Sequence, residues 1–196
     1  MGLISNGTTI FDNGAMASGF GGSMTFVSSA TASASASIEF TLGSYKEYKF
    51  FFVNMHPQND NTNFEFNLST DNGSNYNVTK TTTWFYTQHS ENDLTAELSY
   101  QTDTDLAQST SYQVLSRNIG ADADQNVCGT LQLYNPSSAT YVKHFICNFN
   151  NSKSNNRTEN SYNAGYANTT SALTNIRFQM TGGNIDAGKI LMFGIN

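Results

Sequence analysis

Along much of this chain hydrophobic and polar side chains alternate with a period of two, which places successive side chains on opposite faces of an extended backbone. Phe64, Phe66 and Leu68 alternate with Glu65, Asn67 and Ser69, and Ile176, Phe178 and Met180 with Arg177 and Gln179; each run predicts a half-buried strand. Ile38, Phe40 and Leu42 repeat the pattern, as do Leu131 and Leu133 ahead of Pro136. Residues 45–55, YKEYKFFFVNM, are too apolar to alternate and predict a central strand buried on both faces, ended by Pro57. The last run, KILMFGI, is also apolar on both faces, so it must be paired within a sheet or covered by a neighbour. Between it and the preceding run lies TGGNIDAG, whose glycines predict a hairpin with a longer loop.

Turn formers separate these runs. QNDNTN, DNGSNYN, TDTDLAQSTS and GADADQN carry the Asn, Asp and Gly chemistry of turns and loops, and they recur at intervals of about ten residues. TKTTTWFYTQ, LTAELSY, YQVLSR and YVKHFICNF fill the spaces between them as further β-rich runs. No segment carries a helical period, and no repeat at a fixed spacing suggests a propeller or β-helix. The expected fold is all-β, a single antiparallel β-sandwich of jelly-roll type, with an up-and-down barrel as the alternative. Residues 38–196 form its body. Residues 1–37, with the stretches ASGFGGSM and SSATASASAS, supply few large side chains. They read either as peripheral strands on the same domain or as an arm ordered against a partner, with LISNGTTIFD as a short added strand. The polar stretch 151–171, NSKSNNRTENSYNAGYANTTS, predicts a long exposed loop.

Composition narrows the function classes. Charged residues are only 12% of the chain and its formal net charge is −6, with nine Lys and Arg in total, which argues against a phosphate backbone as partner. No run of eighteen apolar residues predicts a membrane span, and the opening residues lack the basic start and apolar core of a signal peptide, so the expected route is synthesis in a host cytoplasm without export. Cys128 and Cys147 have no CxxC or metal-ligand spacing. A disulfide is conceivable from their separation, but both read better as small buried hydrophobes.

Catalytic and metal motifs are absent from the sequence. His56, His89 and His144 are scattered, and no GxSxG, HExxH or P-loop occurs. The loop pairs Asp103/Asp105 and Asp122/Asp124 have the oxygen chemistry of calcium ligands, although turn-forming residues of a solvated loop explain them better. The expectation is no enzyme, no cofactor and no metal. Exposed aromatics could contact a glycan or a protein partner, and the candidates are Trp84, Tyr86, Tyr162 and Tyr166.

Several blocks together resemble a family. LISNGTTIFDNGAM, YKEYKFFFVNMHP, YNVTKTTTWFYTQHSE, LYNPSSATYVKHFI, AGYANTTSALTNIRFQM and GNIDAGKILMFGI are similar to small β-rich virion proteins of tailed bacteriophages, marine ones especially. The likeness spans nearly the whole chain and rests on strand and turn signatures. It implies a non-enzymatic virion surface protein, a capsid decoration or knob-like component, with a tail-fibre or appendage receptor-binding module that grips glycans as the alternative. It also implies a homo-oligomer, a trimer among the forms allowed, in contact with other virion proteins such as the capsid shell. From the terminal strand pattern, truncation before Lys189 is expected to abolish folding and removal of the first ten residues to spare it; circular dichroism and solubility of the two truncations check this.

Overall fold

The computed structural model describes residues 3–12, 15–16 and 24–196; the glycine-rich stretch 17–23 of the expected arm lies outside them. Three short strands, β1 (Leu3–Ser5), β2 (Thr8–Asp12) and β3 (Ala15–Met16), form an antiparallel sheet of their own in the order β1-β2-β3. Asn6 and Gly7 join the first two with φ of 49° and 77°, the left-handed pair that a two-residue hairpin turn requires.

The remaining strands are β4 (Thr25–Thr31), β5 (Ile38–Thr41), β6 (Glu47–Pro57), β7 (Thr62–Ser69), β8 (Lys80–Ser90), β9 (Ala96–Tyr100), β10 (Gln113–Ile119), β11 (Val127–Tyr134), β12 (Lys143–Lys153), β13 (Arg157–Ala167), β14 (Asn175–Met180) and β15 (Ile185–Ile195). They pair antiparallel in two layers. One has eight strands in the order β4-β15-β6-β11-β12-β13-β8-β9, the other four in the order β5-β14-β7-β10. The layers are continuous only where Ile119 of β10 pairs with Lys153 of β12. When β8, β9, β12 and β13 are set aside, the eight other strands lettered B to I in chain order read B-I-D-G and C-H-E-F. That is the pairing order of a jelly roll. The strand pairs β8–β9 and β12–β13 are insertions that widen one layer beyond it.

Between the layers lies an aromatic core. The Phe52 ring is 4.9 Å from Phe178, 5.0 Å from Phe149 and 5.5 Å from Phe64, centroid to centroid, and Phe66 meets Phe145 edge to face at 5.1 Å. These contacts join β6 and β12 of the wide layer to β7 and β14 of the narrow one. All six rings are buried, so each contributes the transfer free energy of a large apolar side chain as well as aromatic pairing.

Four expectations need correction. The strand β6 is buried on one face only, since among the described residues nothing covers the outer side of the wide layer; Val53 is 44% exposed there. No hairpin joins β14 to β15. β14 pairs with β5 and β7 and β15 with β4 and β6, so the connection between them crosses from one layer to the other. The stretch 151–171 is no loop. β12 continues to Lys153, a tight turn with Asn156 at φ 57° reverses the chain, and β13 pairs residue for residue with β12 and β8. Cys128 and Cys147 are unpaired and lie on opposite faces of neighbouring strands, with Cys147 buried and Cys128 partly exposed. Replacing Phe52 by Ala is expected to lower the unfolding free energy by about 3–5 kcal/mol, whereas Phe51→Ala, on the outer face, costs about 1 kcal/mol or less; urea unfolding of the two variants distinguishes them.

Candidate binding face

The outer face of the wide layer is open to solvent, and its side chains are fixed by strand register. Tyr100, Phe85, Tyr162, Asn148 and Thr130 form one row across β9, β8, β13, β12 and β11, and Thr83, Ala164, Ile146 and Gln132 form a parallel row beside it. At the outward positions of these five strands no Asp, Glu, Lys or Arg occurs. Formal charge returns on β6 and β15, with Glu47, Lys49, Asp186 and Lys189.

Two apolar patches stand on this face. The first is a phenylalanine cluster on β4, β6 and β15. Phe193 meets Phe26 and Phe51 edge to face, each at 5.6 Å, and Phe26 is 55% exposed. The second lies on β8, β12 and β13, where Phe85 and Tyr162 stack at 5.0 Å with 12° between their planes and Ile146 is 54% exposed. Beyond Tyr162 the outward residue is the small Ala164, followed by Tyr166, whose ring is 6.1 Å from His144. The result is a trough along β13. One depression of about 440 Å³ is bounded by Tyr166, His144, Ile146 and Thr83, and a second of about 200 Å³ by Tyr162, Phe85, Ile146 and Thr83, with Ala164 in the floor of both. A third, of about 320 Å³, lies further along β13 at Thr158, between Asn150 and Ser152 on β12 and His89 on β8.

The four aromatic candidates divide. Tyr162 and Tyr166 frame the trough. Trp84 and Tyr86 do not reach it, because β8 turns its even-numbered side chains inward and both are buried. The Trp84 indole donates to the carbonyl of Val114, and the Arg117 guanidinium sits 4.3 Å from the Tyr86 ring centroid and 5.1 Å from that of Trp84. Sequence reasoning missed Phe85, Ile146 and Ala164. The largest side chain of the WFY run takes the interior, and that choice alone sends Phe85 out to face Tyr162.

Against β8, β12 and β13 the interior is polar. The Glu159 carboxylate is wholly buried and accepts from Lys153 Nζ at 2.7 Å and Arg117 Nε at 3.3 Å, while Asn151 and Gln88 flank it in the same cross-strand row. The Lys143 ammonium donates to the carbonyls of Thr169 and Ser171. Lys143, Lys153 and Arg117 are engaged in these bonds, while Glu159 Oε1, Asn151 Oδ1 and Gln88 Oε1 are buried without a hydrogen-bond partner. Among the described residues no group of three or more His, Cys, Asp or Glu gathers as metal ligands. Asp105 accepts from the Tyr100 hydroxyl at 2.6 Å, and the backbone carbonyl of Asp122 lies 3.2 Å from His56 Nε2. No family model, curated protein or solved structure matches this chain.

Lys80 is a buried amine whose proton equilibrium moves into the physiological range. It is wholly buried, donates to Asn67 Oδ1 at 2.5 Å and to the Val78 carbonyl at 2.8 Å, and desolvation takes its pKa down to about 7. The unfolded chain therefore binds a proton that the folded chain has released between about 7 and the ordinary lysine value of 10.5, so stability rises with pH across that window. The penalty of burying the charge is felt in full only below it. Urea unfolding at pH 6.5 and 9.5 is expected to show wild type gaining stability relative to Lys80→Met; a constant difference between the two proteins would count against this.

Proposed function

We propose that this chain is a non-enzymatic structural module of a tailed-phage particle, carried on the particle surface as a head decoration or knob-like component and bound there to copies of itself and to the shell. The observation that carries the reading is the distribution of charge on the wide layer. A chain with a net charge of −6 keeps the outward positions of five adjacent strands free of formal charge, a composition suited to packing against neighbouring protein where no ion pair is needed. The resemblance of its segments to phage virion proteins supports the reading, and so, by fold-level analogy, does a jelly-roll order of the kind viral capsid domains use. The buried titratable groups are held in structural bonds, which favours a scaffold over a catalyst. Cations are also scarce. Lys80, Lys143 and Lys153 are buried and Arg117 and Arg177 pair with carboxylates, leaving Lys46, Lys49, Arg157 and Lys189 as a poor footprint for nucleic acid.

Contacts between copies are best served by the phenylalanine patch of β4, β6 and β15. β4 forms the margin of the wide layer, it is free of charge and proline, and among the described residues only β15 pairs with it. Sedimentation or native mass measurement is expected to give a multiple of the 21.4 kDa chain, and Phe26→Lys is expected to weaken that association at least about tenfold, the equivalent of roughly 1.4 kcal/mol. Cryo-electron microscopy of the particle settles its station: absence from the particle exterior would remove the proposal.

A further inference from the structure

We infer that the trough along β13 binds an uncharged oligosaccharide in extended form. Three depressions follow one another on a single strand face, from Tyr166 past Tyr162 to Thr158, a run of about 26 Å at roughly 3.3 Å per residue. A groove of that shape suits a linear chain of rings better than a compact ligand.

The chemistry of the lining selects the class. A saccharide presents apolar C–H faces and a rim of hydroxyls, so it needs flat apolar surface and short hydrogen-bonding side chains side by side. Tyr162, Tyr166 and Ile146 supply the first. Asn148, Asn150 and Thr158 supply the second, and the two amides are held in place, since each donates through Nδ2 to β13. Other classes fit less well. Nucleic acid or an acidic glycan requires several cations, and among the residues lining the three depressions there is one, Arg157 in the third, where the Glu91 carboxylate also stands. An extended peptide gains most of its affinity by adding to a free strand edge, but β13 is paired along its whole length on both sides. The surface is also distinct from the phenylalanine patch assigned to contacts between copies, so occupancy of one leaves the other open.

Ala164 forms the floor shared by two depressions and points outward, so Ala164→Trp fills the trough without touching the core. Tyr162→Ala and Tyr166→Ala remove its apolar ends. The full chain is titrated with neutral hexasaccharides of glucose, mannose and N-acetylglucosamine, with hexagalacturonate as the acidic comparator, by calorimetry and by amide shifts in two-dimensional NMR. The expected result is millimolar or tighter binding of at least one neutral hexamer. Shifts are expected along β8, β12 and β13, affinity is expected to fall tenfold or more in Ala164→Trp and in either tyrosine variant, and Phe26→Lys is expected to bind unchanged. Three outcomes overturn the inference: no neutral hexamer binds, hexagalacturonate binds as well as the neutral chains, or Ala164→Trp disperses an oligomer and leaves sugar affinity intact. The last would make this face a contact between copies. None of the three bears on whether the chain stands on the particle, which is read separately from the cryo-electron microscopy map.

Discussion

The two layers of this protein share a single point of backbone continuity, so their association depends on side chains, and above all on the rings packed around Phe52. Chain order makes that dependence general. From β4 to β7, and again from β14 to β15, each strand lies in the opposite layer from the one before it, so every turn between them is also a link between the layers. Loss of the packing at the centre would therefore separate elements adjacent in sequence, which is why a jelly roll yields as one unit and not strand by strand.

The inserted strand pairs follow a different rule. β12 still reaches the aromatic core through Phe145 and Phe149, but β13 and β8 widen the sandwich past it, and what holds β10 over them is polar: the Leu115 carbonyl accepts from Ser161 and Asn163, the Val114 carbonyl from Trp84, and Arg117 reaches down to Glu159. A buried carboxylate between two cations contributes little net stability beside an apolar contact, but removing any one member leaves an uncompensated charge. The arrangement therefore fixes where β10 lies more than how strongly it is held. β13 runs in unbroken register with β8 and β12, and that register places Tyr162, Ala164 and Tyr166 on the outside.

Strands facing the aromatic core were legible in the sequence, because a strict apolar alternation such as Phe64, Phe66 and Leu68 has one structural meaning. β13 was not. Its inward residues are Glu159, Ser161 and Asn163, chosen for a polar interior, so no hydrophobic period marks it and it resembles a loop. The link between β14 and β15 failed for another reason: a glycine-rich turn specifies a reversal of the chain but not whether the returning strand pairs with its predecessor or crosses to the other layer. Which way the WFY run faces was undetermined for the same lack of long-range information. The binding face was thus half visible, with Tyr162 and Tyr166 in hand, and its floor at Ala164 emerged only once β13 was a strand.

The place of β15 bears on how this protein comes into being. β15 follows every other strand of the two layers in chain order, yet it lies between β4 and β6, two that come early in that order, just as β14 lies between β5 and β7. The strands β4 to β7 cannot complete their pairing until β14 and β15 have been made, and these pairings join residues more than a hundred positions apart. Such a topology closes slowly. During that interval the phenylalanine-rich β6 lacks its partners, a period of exposure in which a chaperone or a neighbouring copy has its best opportunity to engage it.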